Sequence, residues 1–344
     1  MDYLSVDLFS GCGGLTTGMH RAGFDTKVAI EIETDAVLAF QMNHEKTHVI
    51  KKDIRLITAD EIMGKLNGIP LHLLAGCPPC QGFSSVRRLN RDKIIQDDRN
   101  TLILEYLRFV KELRPYTIMM ENVPGLIKYI LFKEMVSELS LLGYFIDYKI
   151  VNAKDFGVPQ RRRRLVLVGS LLGPISVAEG TEEKVTVREI IGHLEDISET
   201  KDPLHKIVAH HRPEIQKRIE SIPPDGGSRK DLGELSQLDC HKKKNVGFND
   251  IYGRLRWNDY STTITGGCLN PSKGRFLHPE KNRAITAREA ALLQSFPKSY
   301  KFPTNISKTS LALLIGNALP PKLSYIQSKN IREHLDFHLD RHLQ

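Results

Sequence analysis

The residues best equipped for chemistry are two cysteines separated by two prolines, in Gly76-Cys77-Pro78-Pro79-Cys80-Gln81-Gly82-Phe83-Ser84. Adjacent prolines remove two amide donors and fix two φ angles, so this segment is a stiff, irregular loop. Three chemistries fit such a pair. The two-residue spacing suits a redox pair of the thioredoxin type, although the usual neighbouring residues are missing. A zinc half-site needs a second Cys or His pair, and the compact candidate, His210-His211, lacks the usual ligand separation. The third chemistry makes one cysteine a nucleophile held by the rigid loop, and it requires partner side chains elsewhere.

Two stretches offer such partners. Tyr116 to Met120 reads as a strand and ends in Glu121-Asn122-Val123-Pro124-Gly125, just as the apolar run Leu71-His72-Leu73-Leu74-Ala75 ends in the cysteine loop. In open α/β sheets, ligands and chemistry collect beyond the carboxyl ends of strands. Glu121 is then either a cap for the following helix, 126–142, or a catalytic group on the same sheet edge as Cys80. Gln160-Arg161-Arg162-Arg163-Arg164 leads into the strand-like Leu165-Val166-Leu167-Val168. The period of two along a strand turns alternate arginines toward the site and its phosphates.

A cofactor site is suggested further upstream. Tyr3 to Phe9 reads as a buried strand running into Ser10-Gly11-Cys12-Gly13-Gly14 and an amphipathic helix through Met19 to Ala22. On its own, G-x-G-G is a tight turn and falls short of the dinucleotide fingerprint. Glu31 closes a second strand 20 residues after Gly11, and Asp53 follows a third strand at Val49 to Lys52. A glycine loop with these two carboxylates suits a nucleoside-containing cofactor without a pyrophosphate, and S-adenosylmethionine fits better than NAD.

The remaining elements are helices at 60–66 and 101–113, a strand at 143–151, and a loop-rich stretch at 171–249 containing Pro223 to Lys230 and His241-Lys242-Lys243-Lys244. Tyr252 to Thr265 and Arg275 to Leu277 read as strands of a smaller domain, with Trp257 a packing residue. A helix at 287–293, a segment at 310–315 and a last helix marked by Leu319, Leu323 and Ile326 follow. The basic stretch Arg87 to Lys93 is either a solvated loop or a segment that closes over a phosphate backbone.

The 344 residues suffice for two domains, and 40% hydrophobic with 26% charged residues is ordinary for a soluble globular protein. No apolar run approaches the ~18 residues of a membrane span, so no membrane partner is expected. Met1-Asp2-Tyr3-Leu4 has no basic region of the secretory kind, and five cysteines point to a reducing, cytoplasmic compartment. A net charge of +8 is consistent with a polyanionic partner.

Taken together, Asp7-Leu8-Phe9-Ser10-Gly11-Cys12-Gly13-Gly14, Pro78-Pro79-Cys80-Gln81, Glu121-Asn122-Val123, the triplet Gln160, Arg162 and Arg164, Thr286 to Glu289, Leu293 to Pro297 and Gly316-Asn317-Ala318-Leu319-Pro320 resemble the DNA (cytosine-5) methyltransferases of bacterial restriction-modification type. The similar stretches cover about 3–170 and 253–325. The resemblance implies an α/β fold, a Rossmann-like S-adenosylmethionine-dependent sheet with a smaller, loop-rich target recognition domain. It divides the chain into a catalytic and cofactor-binding domain (1–172), a target recognition domain (173–305) and a C-terminal segment returning to the catalytic domain (306–344).

The resemblance also implies roles. Cys80 is the nucleophile that attacks carbon 6 of a flipped-out cytosine, and Cys77 is left to packing. Glu121 binds the base, and Arg162 and Arg164 orient it and stabilise charge. Phe9, Gly11, Gly13, Glu31, Asp53 and Asn317 bind S-adenosylmethionine, and no metal is called for. Ile32 departs from the family's pattern, which often has an aromatic residue beside the acidic one. The implied protein is a bacterial, cytoplasmic monomer acting on duplex DNA, associated with the nucleoid when bound, with a companion restriction endonuclease. A transfer RNA cytosine-5 methyltransferase and a catalytically inactive DNA-binding relative are the alternatives. The Cys-Phe-Thr tripeptide of the RNA branch is missing, and Cys80, Glu121 and Arg164 are intact.

Overall fold

The computed structural model describes residues 3–79, 101–181, 183–233 and 250–339. Seven strands form one sheet: β1 (Tyr3–Leu8), β2 (Phe24–Glu31), β3 (His48–Lys51), β4 (Leu73–Gly76), β5 (Thr117–Asn122), β6 (Phe145–Asn152) and β7 (Arg163–Ser170). Their order is β3-β2-β1-β4-β5-β7-β6, parallel except for β7, which runs antiparallel to both of its neighbours. The strand-like runs up to Val168 are therefore strands. Those at the centre are mostly apolar because water is kept from both faces; every residue of β1, β4 and β5 is buried.

Helices α1 (Gly14–Arg21), α2 (Thr34–Gln41), α3 (Ala59–Leu66), α4 (Leu102–Leu113) and α5 (Ile130–Leu141) connect the parallel strands. The glycine loop opens α1. The chain order reverses between β1 and β4, which makes the carboxyl ends of these two strands the switch point where an open α/β sheet offers a crevice. There the Cys77 amide donates to the Leu8 carbonyl at 3.2 Å, so the glycine loop and the cysteine loop leave the sheet side by side.

The chain forms two compact units. One comprises residues 1–156, 163–181 and 319–344, and the other 157–162 and 182–318. The first holds the sheet and its last helix, Pro321–Leu339, which packs on α1: Ser324 Oγ donates to the Leu15 carbonyl at 2.7 Å, and a Cβ on Gly18 would collide with Ser324.

The second unit departs from expectation. Among its described residues the anticipated strands at 252–265 and 275–277 are absent as ladders, leaving isolated bridges such as Arg254 to Leu277. A buried arginine organises this region instead. The Arg254 guanidinium donates to the carbonyls of Ile219, Ile222, His278 and Lys281 and to the Asn282 side chain, so one side chain ties four main-chain positions together. Around it, Ile219, Ile222, Tyr252 and Leu277 form a small core. Short helices, Val187–Ile191 and Pro213–Ser221, lie within the stretch read as loop-rich. Trp257 packs edge-on to His278 with the Arg188 guanidinium over its ring, as a packing residue should. Among the described residues no helix is long and apolar enough to cross a membrane.

Candidate active site

Phe9, Gly11 and Gly13 alternate in the left-handed region, with φ of 60°, 54° and 90°. For glycine this costs little, but a bulky residue there stores about 1–3 kcal/mol and persists only when its surroundings enforce it. The Phe9 ring is packed against the sheet core. The turns send the Ser10, Gly11 and Gly13 amides to the Ile30 carbonyl, the Glu31 carboxylate and the Ser10 carbonyl, so the loop is fastened to β2 and closed on itself.

Glu31, at the end of β2, closes the other side. Its Oε2 accepts the Gly11 amide at 2.8 Å, and Oε1 accepts the amides of Ile32 and Glu33 at 2.8 and 2.9 Å. A carboxylate has about four acceptor positions, so one remains for a ligand hydroxyl. Burial raises the Glu31 carboxyl pKa, and the three amides only partly offset it. A Cβ added to Gly11 would meet nothing within 4 Å, which leaves open space beside the loop, and Ser10 Oγ is buried with no hydrogen-bond partner among the described residues. These features fit a nucleoside-bearing cofactor. Asp53 caps the short 3-10 turn Ile54–Leu56 and forms a two-toothed pair with Arg55, 2.6 Å from Nη2 to Oδ2, and these bonds hold its carboxyl below the usual range.

Glu121 stands at the end of β5, only 8% exposed. Arg164 Nε lies 2.7 Å from Glu121 Oε1, yet that oxygen receives no well-directed hydrogen bond. The pair thus neutralises the buried carboxylate while leaving a lone pair for a planar donor. Along the arginine row, Arg161 and Arg163 are exposed while Arg162 is buried and Arg164 half-buried, the alternation that a strand imposes. Asn122 Nδ2 donates to the Pro78 carbonyl at 2.8 Å, which fastens the first proline of the cysteine loop to β5.

In the second unit, Arg162 donates to the carbonyls of Ile264, Gly316 and Ala318 at 2.9–3.0 Å. Gln160 and Gln294 complete this buried network: Gln160 Nε2 donates to Gln294 Oε1 at 2.7 Å, and Gln294 Nε2 donates to the Ile315 carbonyl at 2.7 Å. Arg162, expected beside the base, is thereby given main-chain partners. Those bonds hold the end of helix Lys308–Asn317, where a Cβ on Gly316 would fall on the Thr265 main chain. Asn317, the last residue of that helix, is exposed.

The model of the C-5 cytosine-specific DNA methylases matches residues 3–333. The chain belongs to this family. The chain is similar to the Type II methylase M.HgiDII of Herpetosiphon aurantiacus, 33% identical with 96% of this chain and 95% of that one covered. It is also similar to the Type II methyltransferase M1.HphI of Haemophilus parahaemolyticus, 32% identical over 94% and 85%. Among solved structures, one assigned as a DNA modification methyltransferase encoded within an E. coli prophage superposes with a TM-score of 0.75 at 26% identity, covering 97% of this chain and all of the other.

In this methylase the glycine loop, Glu31 and Asp53 follow the carboxyl ends of adjacent strands β1, β2 and β3, and Glu121 and Arg164 meet across β5 and β7. Cys80 lies outside the described residues, as do Arg87 to Lys93 and His241 to Lys244. Sequence reading missed two participants in the sheet. Asp7, fully buried, accepts from Thr16 Oγ1 at 2.6 Å through Oδ2 while Oδ1 has no partner among the described residues; burial raises its pKa to about 7. A lone aspartate inside an apolar central strand was the available signal. Cys77, just past the end of β4, is the other: burial, followed by the nearby charge of Glu121, pushes its thiol pKa well above the ordinary range.

Proposed function

We propose that this cytosine-5 DNA methyltransferase uses S-adenosylmethionine to methylate carbon 5 of a cytosine flipped out of a specific duplex DNA sequence, through a covalent adduct of Cys80. The observation that carries the reading is the Glu121–Arg164 pair at the carboxyl end of β5, next to the strand that leads into the Pro78-Pro79-Cys80 loop. A stacked base cannot reach such a site, and unstacking it costs a few kcal/mol, repaid by pocket hydrogen bonds.

Carbon 5 of cytosine is a poor nucleophile until a thiolate adds to carbon 6. The Cys80 sulfur forms the bond to carbon 6 while ring nitrogen 3 takes up a proton, which leaves carbon 5 enamine-like. Glu121 accepts from the exocyclic amino group and engages nitrogen 3, favouring that protonated ring. Arg164 stabilises the charge that develops, in a site where it is already held in place. Bound S-adenosylmethionine supplies an electrophilic methyl group. Water serves as the base that removes the carbon 5 proton; the electron pair left behind restores the ring double bond as the carbon–sulfur bond breaks, Cys80 departs as thiolate, and nitrogen 3 gives back the proton it took up.

For the cofactor, Glu31 would take a ribose hydroxyl on its remaining acceptor position and Asp53 the adenine amino group, with the loop of Phe9, Gly11 and Gly13 lying along the amino-acid end. Asn317 is assigned to the same ligand on the strength of the terminal motif. Arg162 supports the site as a brace for that motif. Residues 173–305 read the target, and the enzyme works as a monomer beside a companion restriction endonuclease.

Incubation with labelled S-adenosylmethionine and either duplex DNA or transfer RNA, followed by location of the modified base, tests the reading. Label at carbon 5 of cytosine in DNA, lost in Cys80→Ala, is expected. Label in RNA alone would reject the DNA assignment, and full turnover in Cys80→Ala would reject the nucleophile.

A further inference from the structure

The two cysteines of the loop are not equivalent, and the structure gives the first one a task. Strands β4 and β5 pair in parallel register, with Ala75 opposite Met119 and Gly76 opposite Met120. Carried one residue past the end of β4, that register brings Cys77 abreast of Glu121, on the face of Ala75 and Met119. The backbone there cannot drift. Gly76 has no room for a Cβ beside the Leu8 carbonyl, the Cys77 amide is bonded to that carbonyl, and the Pro78 carbonyl is held by Asn122.

On its other side Glu121 meets the Nε of Arg164, and among the described residues its Oε1 receives no well-directed hydrogen bond although the residue is more than nine-tenths buried. A buried carboxylate in an ion pair needs further donors to hold one orientation. We propose that Cys77 is a positioning residue for Glu121, its S–H donating to the carboxylate that Arg164 grips from the side of β7. This rests on the reading of Glu121 as the group that binds the base.

Burial, followed by the charges of Glu121 and Asp7, raises the Cys77 pKa well above the ordinary thiol range. The donor proton therefore stays in place at working pH, and Cys77 does not compete as a thiolate with the nucleophile three residues on. A thiol is a weak donor, which suits a group that must hold the carboxylate yet leave it free to engage the base.

The test compares Cys77→Ala with Cys77→Ser, using kcat/KM as a function of pH and thermal unfolding as a check on folding. A lost donor to the ionised form raises a carboxyl pKa, so Cys77→Ala should move the acid limb upward by about 0.5 unit. Cys77→Ser, which keeps a donor, should restore it. An acid limb unmoved in Cys77→Ala, or the same shift in both variants, would overturn the inference and make Cys77 a packing residue. If Cys77→Ala does not fold, the Raman S–H band identified by subtracting the Cys77→Ser spectrum serves instead: it should shift in Glu121→Gln, and an unchanged band would sink the proposal. Wild-type turnover in Glu121→Gln would overturn the reading of Glu121 itself, and this inference with it.

Discussion

Gly11 and Glu31 are joined by a 2.8 Å hydrogen bond between a loop amide and a carboxylate 20 residues away, so the glycine loop and the end of β2 move as one piece. Glu31→Gln replaces one acceptor oxygen by a donor, which cannot take both the Gly11 amide and a ribose hydroxyl. Hydrogen bonds to charged groups contribute about 1.5–3 kcal/mol. Titration calorimetry should therefore show S-adenosylmethionine binding weakened by roughly tenfold or more, with duplex DNA affinity little changed. Unchanged cofactor affinity would remove Glu31 from the site.

Asp7 should make stability fall with rising pH. Its carboxyl pKa is raised from 3.8 to about 7 in the folded chain, chiefly by burial. Between those values the native state holds a proton that the unfolded chain has released. Stability is therefore lost as pH rises from about 4 to about 7, by about 4 kcal/mol at most. Asp7→Asn keeps an oxygen for Thr16 and does not ionise. Urea unfolding at pH 5 and pH 8 should show a smaller difference between the two pH values in the variant than in the wild type; equal differences would place the Asp7 titration elsewhere.

Arg164→Lys keeps the charge and loses the planar nitrogen that meets Glu121 at 2.7 Å. The two cations are not interchangeable at such a contact. A fall in kcat of about ten- to a hundredfold, with thermal unfolding shifted by only a few degrees, is the expected outcome. Wild-type kcat would remove Arg164 from the chemistry.

Arg162→Ala should act on stability rather than on chemistry alone. It leaves the carbonyls of Gly316 and Ala318 without the Arg162 donors in a buried network. A loss of about 3 kcal/mol in urea unfolding is expected. Gly316→Ala should act in the same direction, since the added carbon has no place beside Thr265. Full stability in both variants would show that the network is dispensable.

The sheet was readable from sequence because its strands are short apolar runs closed by polar residues that must sit at its edge: Glu31 and Glu121 are such residues, and the alternating exposure of Arg161 to Arg164 follows from the strand period. The second unit was not readable in the same way. Its order depends on long-range side-chain bonds to the main chain, such as those of Arg254 and Arg162, which leave no periodic trace. Cys77 shows a finer limit. Its spacing from Cys80 invited a symmetrical reading, and only the register of β4 against β5 sets it apart.

The helix that packs on α1 comes from the far end of the chain, with Ser324 bonded to Leu15 across 309 positions. The sheet unit is interrupted by the second unit and resumes at Leu319. On a ribosome, the helix that backs the glycine loop follows it by about 300 residues, after the whole of the second unit has been made. The glycine loop should therefore wait, without its backing, until the second unit has left the ribosome.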